Sequence, residues 1–164
     1  MIAALNRFIS RSVDRCRPFY LLINKWKGFE WSEDCAVAFQ QLKEYLSWPP
    51  IMSNPEANEV LCVYLAVAPH AVSLVLIRDD NGIQKPVYYV SKSLHEAEVK
   101  YQPLEKAILA VVHAIRKLPH YFQAHTVVVL TRLPLKFVLR TADYIGRIVK
   151  WNTILGAFDV KYMP

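Results

Sequence analysis

The chain has 164 residues, of which 54% are hydrophobic and 12% aromatic, and it carries a formal net charge of +6 at pH 7. That is ample material for a packed core, while no apolar run reaches the ~20 residues of a bilayer-spanning helix. The opening MIAALNRFISRSVDR has arginines spaced through it in place of the basic start and apolar centre of a secretory leader, so the chain reads as soluble and intracellular, with no membrane partner.

Cys16, Cys35 and Cys62 are odd in number, far apart and without a CxxC pair. Neither a disulfide framework nor a zinc site is indicated, and the three read as buried thiols. The five histidines share no ligand spacing with them, and His113 reads as a packed or surface residue.

In chain order, the first section to about Pro55 reads as helical. Ile2, Leu5, Phe8 and Ile9 draw a short apolar stripe, and a second helix is predicted over Arg17–Ile23, with Pro18 in its first turn and Gly28 after it. A third helix has Ser32 as N-cap, Glu33 and Asp34 in its first turn, and an apolar face of Cys35, Ala38, Phe39, Leu42 and Tyr45 or Leu46. Trp48-Pro49-Pro50 stops it. The polar, turn-rich stretch Ser53–Asn58 marks a joint, which places a boundary between residues 56 and 57.

Beyond the joint the pattern becomes extended. Strands are predicted over Val60–Val67, Val72–Arg78 and Ile83–Ser91, with Asn81-Gly82 as a hairpin turn between the second and third. The linker SKSLHEAEVK leads into Tyr101–Phe122, where Leu104, Ile108, Val111, Val112, Ile115 and Leu118 recur at spacings of three and four. Pro103 suits the first helical position, and Arg116, Lys117 and Pro119 supply stop signals. Thr126–Thr131 reads as a fourth, doubly buried strand. Short helices over Leu135–Leu139 and Tyr144–Leu155 follow, then a fifth strand over Asp159–Tyr162. The expected fold is α+β, a mixed five-stranded sheet with helices.

As the third residue of its helix, Glu105 has a bland role available, since a carboxylate there caps free backbone N–H groups. A catalytic role in phosphodiester hydrolysis would need further carboxylates converging on divalent ions. Trp26, Trp31, Trp48 and Trp151 could stack on bases, with core packing the competing use. From Lys106 onward nine basic residues face two acids, a local excess of seven that tilts toward a polyanionic partner. Arg116, Lys117, Lys136, Arg140, Arg147 and Lys150 are the candidate phosphate contacts, and Arg147 and Lys150, three apart, share a predicted helix face.

The order of elements and the wording of FEWSEDCAVAFQQLKEYLSWPPIM, KPVYYVSKSL, YQPLEKAILAVVHAIRKLPHYF, VVVLTRLPLKFVL and KWNTILGAFDVKYMP resemble gypsy-type LTR-retrotransposon polyproteins, at the polymerase thumb or connection followed by the ribonuclease H-like region. The resemblance implies a helical thumb or connection remnant over residues 1–56 and a ribonuclease H-like domain, C-terminally truncated, over 57–164. It also implies a magnesium-dependent site with an Asp on the first strand, a helix Glu, an Asp ending the fourth strand and a last Asp beyond Pro164. Glu105 matches the helix Glu, but Ala66 and Arg132 stand at the two Asp positions. The site is therefore expected to be lost and to hold no metal, with Glu105 capping its helix or pairing with Arg132.

Three readings remain open. The first is a catalytically inactive domain that binds RNA/DNA hybrid or tethers the rest of the retrotransposon polymerase. The second is an active ribonuclease H, and the third a relic reading frame.

Overall fold

A computed structural model describes residues 5–23, 28, 30–140 and 146–164. The expected positions of Ile2, Trp26, Asp143 and Tyr144 lie outside these described residues.

Of the first apolar stripe, Leu5, Phe8 and Ile9 are described. A 3-10 turn at Asn6–Phe8 is followed by Arg11 in the left-handed region (φ 52°), which redirects the chain into α1 (Ser12–Arg15) and then α2 (Arg17–Ile23). In α3 (Glu33–Ser47) Ser32 acts as the N-cap, its Oγ accepting a hydrogen bond from the Cys35 amide at 3.3 Å. Cys35, Ala38 and Leu42 pack with Ile9, Cys16, Phe19 and Leu22 into a small helical core. Phe39, expected on that face, is instead half-exposed, lying edge-on to Trp31 with Lys43 over its ring.

The remaining elements are β1 (Leu61–Val67), β2 (Ala71–Asp80), β3 (Ile83–Ser93), α4 (Glu96–Val99), α5 (Pro103–Lys117), α6 (Pro119–Ala124), β4 (Val127–Leu130), α7 (Leu135–Arg140), α8 (Gly146–Gly156) and β5 (Val160–Met163). The sheet order is β3-β2-β1-β4-β5. β1, β2 and β3 form an antiparallel meander, while β4 runs parallel to β1 and β5 parallel to β4. This is the mixed five-stranded architecture expected from the sequence. Two elements depart from it. The linker contains α4, and a further short helix, α6, follows directly on the stop at Leu118–Pro119 that ends α5. Pro119 cannot donate an amide to continue α5, so α5 ends where the backbone hydrogen-bond ladder stops.

Alternation on the strands decides which face is buried. Leu61 and Val63 of β1, Val72, Leu74 and Leu76 of β2 and Val127 and Val129 of β4 form one core with the apolar residues of α5. Ser73 and Ser91 point to the other face and hydrogen-bond to each other at 2.8 Å. There the Val13 amide donates to Ser91 Oγ at 3.3 Å, which joins the helical section to β3. β3 tolerates Pro86 because it is an edge strand with a register shift at that point, and the Pro86 carbonyl accepts from the Ser53 amide.

The hairpin between β2 and β3 closes through Asn81 (φ 55°) and Gly82 (φ 85°), and the Gly82 amide donates to Asp79 at 2.6 Å. Two positive φ values in a two-residue loop match the right-handed strand twist. Gly82→Ala leaves the space open but forces an L side chain into the left-handed region. We expect it to destabilise the domain by about 1–2 kcal/mol, read as a lower urea midpoint at unchanged m value; a midpoint within error of the parent would count against the turn's role.

Candidate functional site

α5 starts with Pro103 at its first position and a capping box in which Glu105 accepts from the Gln102 amide at 3.0 Å. Lys106, counted in sequence among the surface cations, is buried and donates its Nζ to the Pro69 carbonyl at 3.1 Å. That contact sets the start of α5 beside the β1–β2 turn, at the C-terminal end of β1. In a parallel pair that end of β1 is also the C-terminal end of β4. The residues that the resemblance assigned to a metal site thus belong to one end of the sheet.

Their chemistry is not that of a metal site. Ala66 is the sixth residue of β1 and offers no donor atom. It lines a small cavity of about 200 Å³ with Ser10, Arg11 and Ser73, beneath the helical section. Arg132 follows the end of β4, is exposed, and lines a surface groove with Tyr64, Leu65 and Thr131. Glu105 is the single carboxylate of the three, and its partner is Arg147, with Nε 3.5 Å from Oε1. The expected pairing with Arg132 is replaced by this one, because α8 packs against α5 and brings Arg147 over the helix start. The Arg147 guanidinium also lies 4.3 Å from the centre of the Tyr101 ring, and Tyr101 packs edge-on against buried Trp151.

Glu105 Oε1 is sealed from solvent and accepts no hydrogen bond of good geometry, so the Arg147 charge is what compensates its burial. One carboxylate so engaged, an alanine and an arginine do not fit a two-cation site, which needs several hard oxygen donors. Among the described residues no three His, Cys, Asp or Glu side chains gather in a way that could hold a metal ion.

The candidate phosphate contacts are not equivalent. Arg116 and Lys117 are exposed at the end of α5, Lys136 and Arg140 are exposed on α7, and Lys150 is exposed on α8. Arg147 shares the α8 helix with Lys150 but is half-buried against Glu105 and Tyr101, so its guanidinium is already engaged.

Of the tryptophans, Trp151 is a core residue, whereas Trp31 is half-exposed and Trp48 is 88% exposed, so core packing does not describe those two. Cys16 and Cys35 are buried and Cys62 partly so, and burial pushes the Cys16 and Cys62 thiols up from their ordinary pKa. His113 is half-buried. Desolvation holds its pKa down, and the nearby Lys92 and Lys117 lower it further.

If Glu105 and Arg147 act as a pair, Glu105→Gln and Arg147→Met are not additive. A double-mutant cycle on urea stability is expected to return a coupling of about 0.5–1 kcal/mol. Simple additivity would mean that the contact between α5 and α8 rests on Trp151 and Tyr101 alone.

Among the described residues no helix is long and apolar enough to cross a membrane. Residues 31–129, more than half of the chain, match the profile of a family described as an RNase H-like domain found in reverse transcriptase. The matched region takes in α3 together with β1 to β4. The chain is 29% identical over 160 residues to the retrovirus-related Pol polyprotein from transposon 412 of Drosophila melanogaster, covering 96% of this chain and 13% of that protein. It is 23% identical over 174 aligned residues to the transposon Tf2-3 polyprotein of Schizosaccharomyces pombe, again spanning 13% of it. Among solved structures, a foamy viral protease-reverse transcriptase in complex with RNA/DNA hybrid superposes with a TM-score of 0.80 at 18% identity, covering 98% of this chain and 23% of that one. The same enzyme type in complex with double-stranded DNA gives 0.74 at 19% identity. The likeness to those structures is one of fold, and together with the profile match it identifies the chain as a member of the family of RNase H-like domains found in reverse transcriptase.

Proposed function

We propose that this domain is a non-cleaving member of its family, which contacts RNA/DNA hybrid through phosphate and tethers the rest of a retrotransposon polymerase, residues 1–56 being the thumb or connection side of that tether. The observation that carries the reading is the state of Glu105. A carboxylate that once could have held a metal now caps α5 and is neutralised by Arg147, while Ala66 and Arg132 contribute no second carboxylate. Among the described residues a metal-dependent hydrolysis has no set of donors to run on.

Binding does not need those donors. Phosphate recognition needs mobile, solvent-facing cations, and Arg116, Lys117 and Lys150 meet that requirement. Arg147 does not, being held by Glu105 and Tyr101. Lys136 and Arg140 are exposed but rim a concave apolar groove, which a rigid duplex backbone cannot enter.

Incubated with labelled RNA/DNA hybrid and magnesium or manganese, the chain is expected to leave the RNA strand intact. The variant Ala66→Asp with Arg132→Asp is expected to do no better, because Arg147 still occupies the remaining carboxylate. Robust cleavage abolished by Glu105→Gln would overturn the reading. In a salt titration about three phosphate contacts give a slope of log K against log salt of about −3, with micromolar or weaker affinity near physiological salt. Reversing Arg116, Lys117 and Lys150 to Glu flattens that slope, whereas binding indifferent to both salt and reversal would leave these cations as plain solvated surface.

A further inference from the structure

β5 stands at the end of the sheet order, and among the described residues β4 is its one strand neighbour. Natural sheets cover such an edge or break it up with charge. Beside it lies the groove bounded by α7, α8 and β5, about 570 Å³ in volume. Its apolar lining includes Leu139, Leu155 and Phe158, the first two belonging to the buried core. Lys136 and Arg140 on α7 and Lys161 on β5 line it as well, all three exposed, and among the described residues no acidic side chain lines it. Two helices and a strand edge around an apolar trough make a seat for a third helix, the geometry used when an amphipathic helix lays its apolar face into a groove.

We propose that this groove is a docking site for an acidic amphipathic helix of a partner protein. Its apolar side chains fill the trough over Leu139 and Leu155, and its carboxylates pair with Lys136, Arg140 and Lys161. Charge complementarity selects this occupant: three cations, with no acid among the described lining residues, repel a basic segment, leave a neutral one without ionic partners, and steer an acidic one in. A nucleic-acid duplex meets the cations but leaves the apolar trough unfilled. The inference does not depend on the hybrid-binding reading, because the cations assigned to hybrid there lie outside the groove.

The test uses the full chain and a fluorescein-labelled helical peptide with Leu at spacings of three and four and Glu at the flanking positions, followed by anisotropy. A scrambled peptide of the same composition is the control, and unlabelled RNA/DNA hybrid the competitor. The expected result is saturable, salt-sensitive binding of the ordered peptide, about tenfold or more tighter than the scrambled one. Lys136→Glu, Arg140→Glu and Lys161→Glu combined, all at exposed positions and checked by circular dichroism, should weaken it by at least a similar factor while leaving hybrid binding in place. Should the triple reversal perturb the fold, the three single Ala variants are to weaken peptide binding in graded fashion. Equal binding of ordered and scrambled peptides would overturn the proposal. So would hybrid displacing the peptide and losing its own affinity on the triple reversal, which makes the groove a nucleic-acid site. Self-association of the chain that disappears on the same reversal would assign the groove to a second copy and overturn it equally.

Discussion

The structure depends on α5 being buried on more than one side. Ile108, Val111, Val112 and Ile115 face the sheet and, at about 1.5–3 kcal/mol of transfer free energy each as an upper estimate, supply much of the core's cohesion. Ala107, Ala110 and Ala114 are just as buried. Small side chains let a neighbouring element come close, and α8 packs against α5 with Ile148, Trp151 and Leu155 buried. A helix held between a sheet and a second helix has little freedom to shift along its axis. Its first turn is therefore a fixed point, and everything at the C-terminal ends of β1 and β4 is arranged against it.

That fixed point sets the surroundings of Glu105. At the start of a clamped helix a carboxylate cannot swing out to water, so it must be compensated in place. One oxygen takes the Gln102 amide as its capping partner, and the other, without a hydrogen bond, faces Arg147. In a metal site the cations would do this compensating. Here the compensating charge is covalently part of α8, and it links the helix start to the C-terminal third of the chain. Arg147 in turn is positioned by Tyr101 beneath its guanidinium, and Tyr101 by Trp151. The contact has thereby become part of the packing.

Much of this was legible in the sequence where the signal is local. The Pro103 and Glu105 spacing announced the capping box, Asn81-Gly82 announced the hairpin, and the apolar run of β4 announced a strand buried on both faces, where successive Val127, Val128 and Val129 are all buried. What was not legible depends on residues far apart in the chain. Arg147 and Lys150 have the spacing of one helix face, yet one is held in a pocket and the other stands in solvent, because the contact with Tyr101 and Glu105 has no trace in local periodicity. Four-residue α4 is too short to show a period at all, and its Glu98 pairs with Lys92 of β3. Arg11 turns the chain through the left-handed region between the first apolar stripe and α1. Nothing in an arginine marks that conformation in advance.

The charge of the C-terminal third has to be read after these contacts are taken out. Lys106 is spent on the Pro69 carbonyl and Arg147 on Glu105, which leaves Arg116, Lys117, Arg132, Lys136, Arg140, Lys150 and Lys161 as exposed cations. Asp159, one of the two acids opposing them, accepts a hydrogen bond from Thr126. A positive surface therefore survives the loss of two of its members, but it is divided by shape. Lys136, Arg140 and Lys161 surround an apolar hollow beside β5, whereas Arg116, Lys117 and Lys150 stand on helix surface. Cations on a polar convex surface favour a solvated polyanion, since phosphate contacts need no apolar burial. Cations around an apolar hollow favour a partner that brings both carboxylate and hydrocarbon, since the hydrocarbon supplies affinity and the charge supplies orientation. The same formal charge thus points to two kinds of contact, and the packing of α7 and α8 against β5 is what separates them.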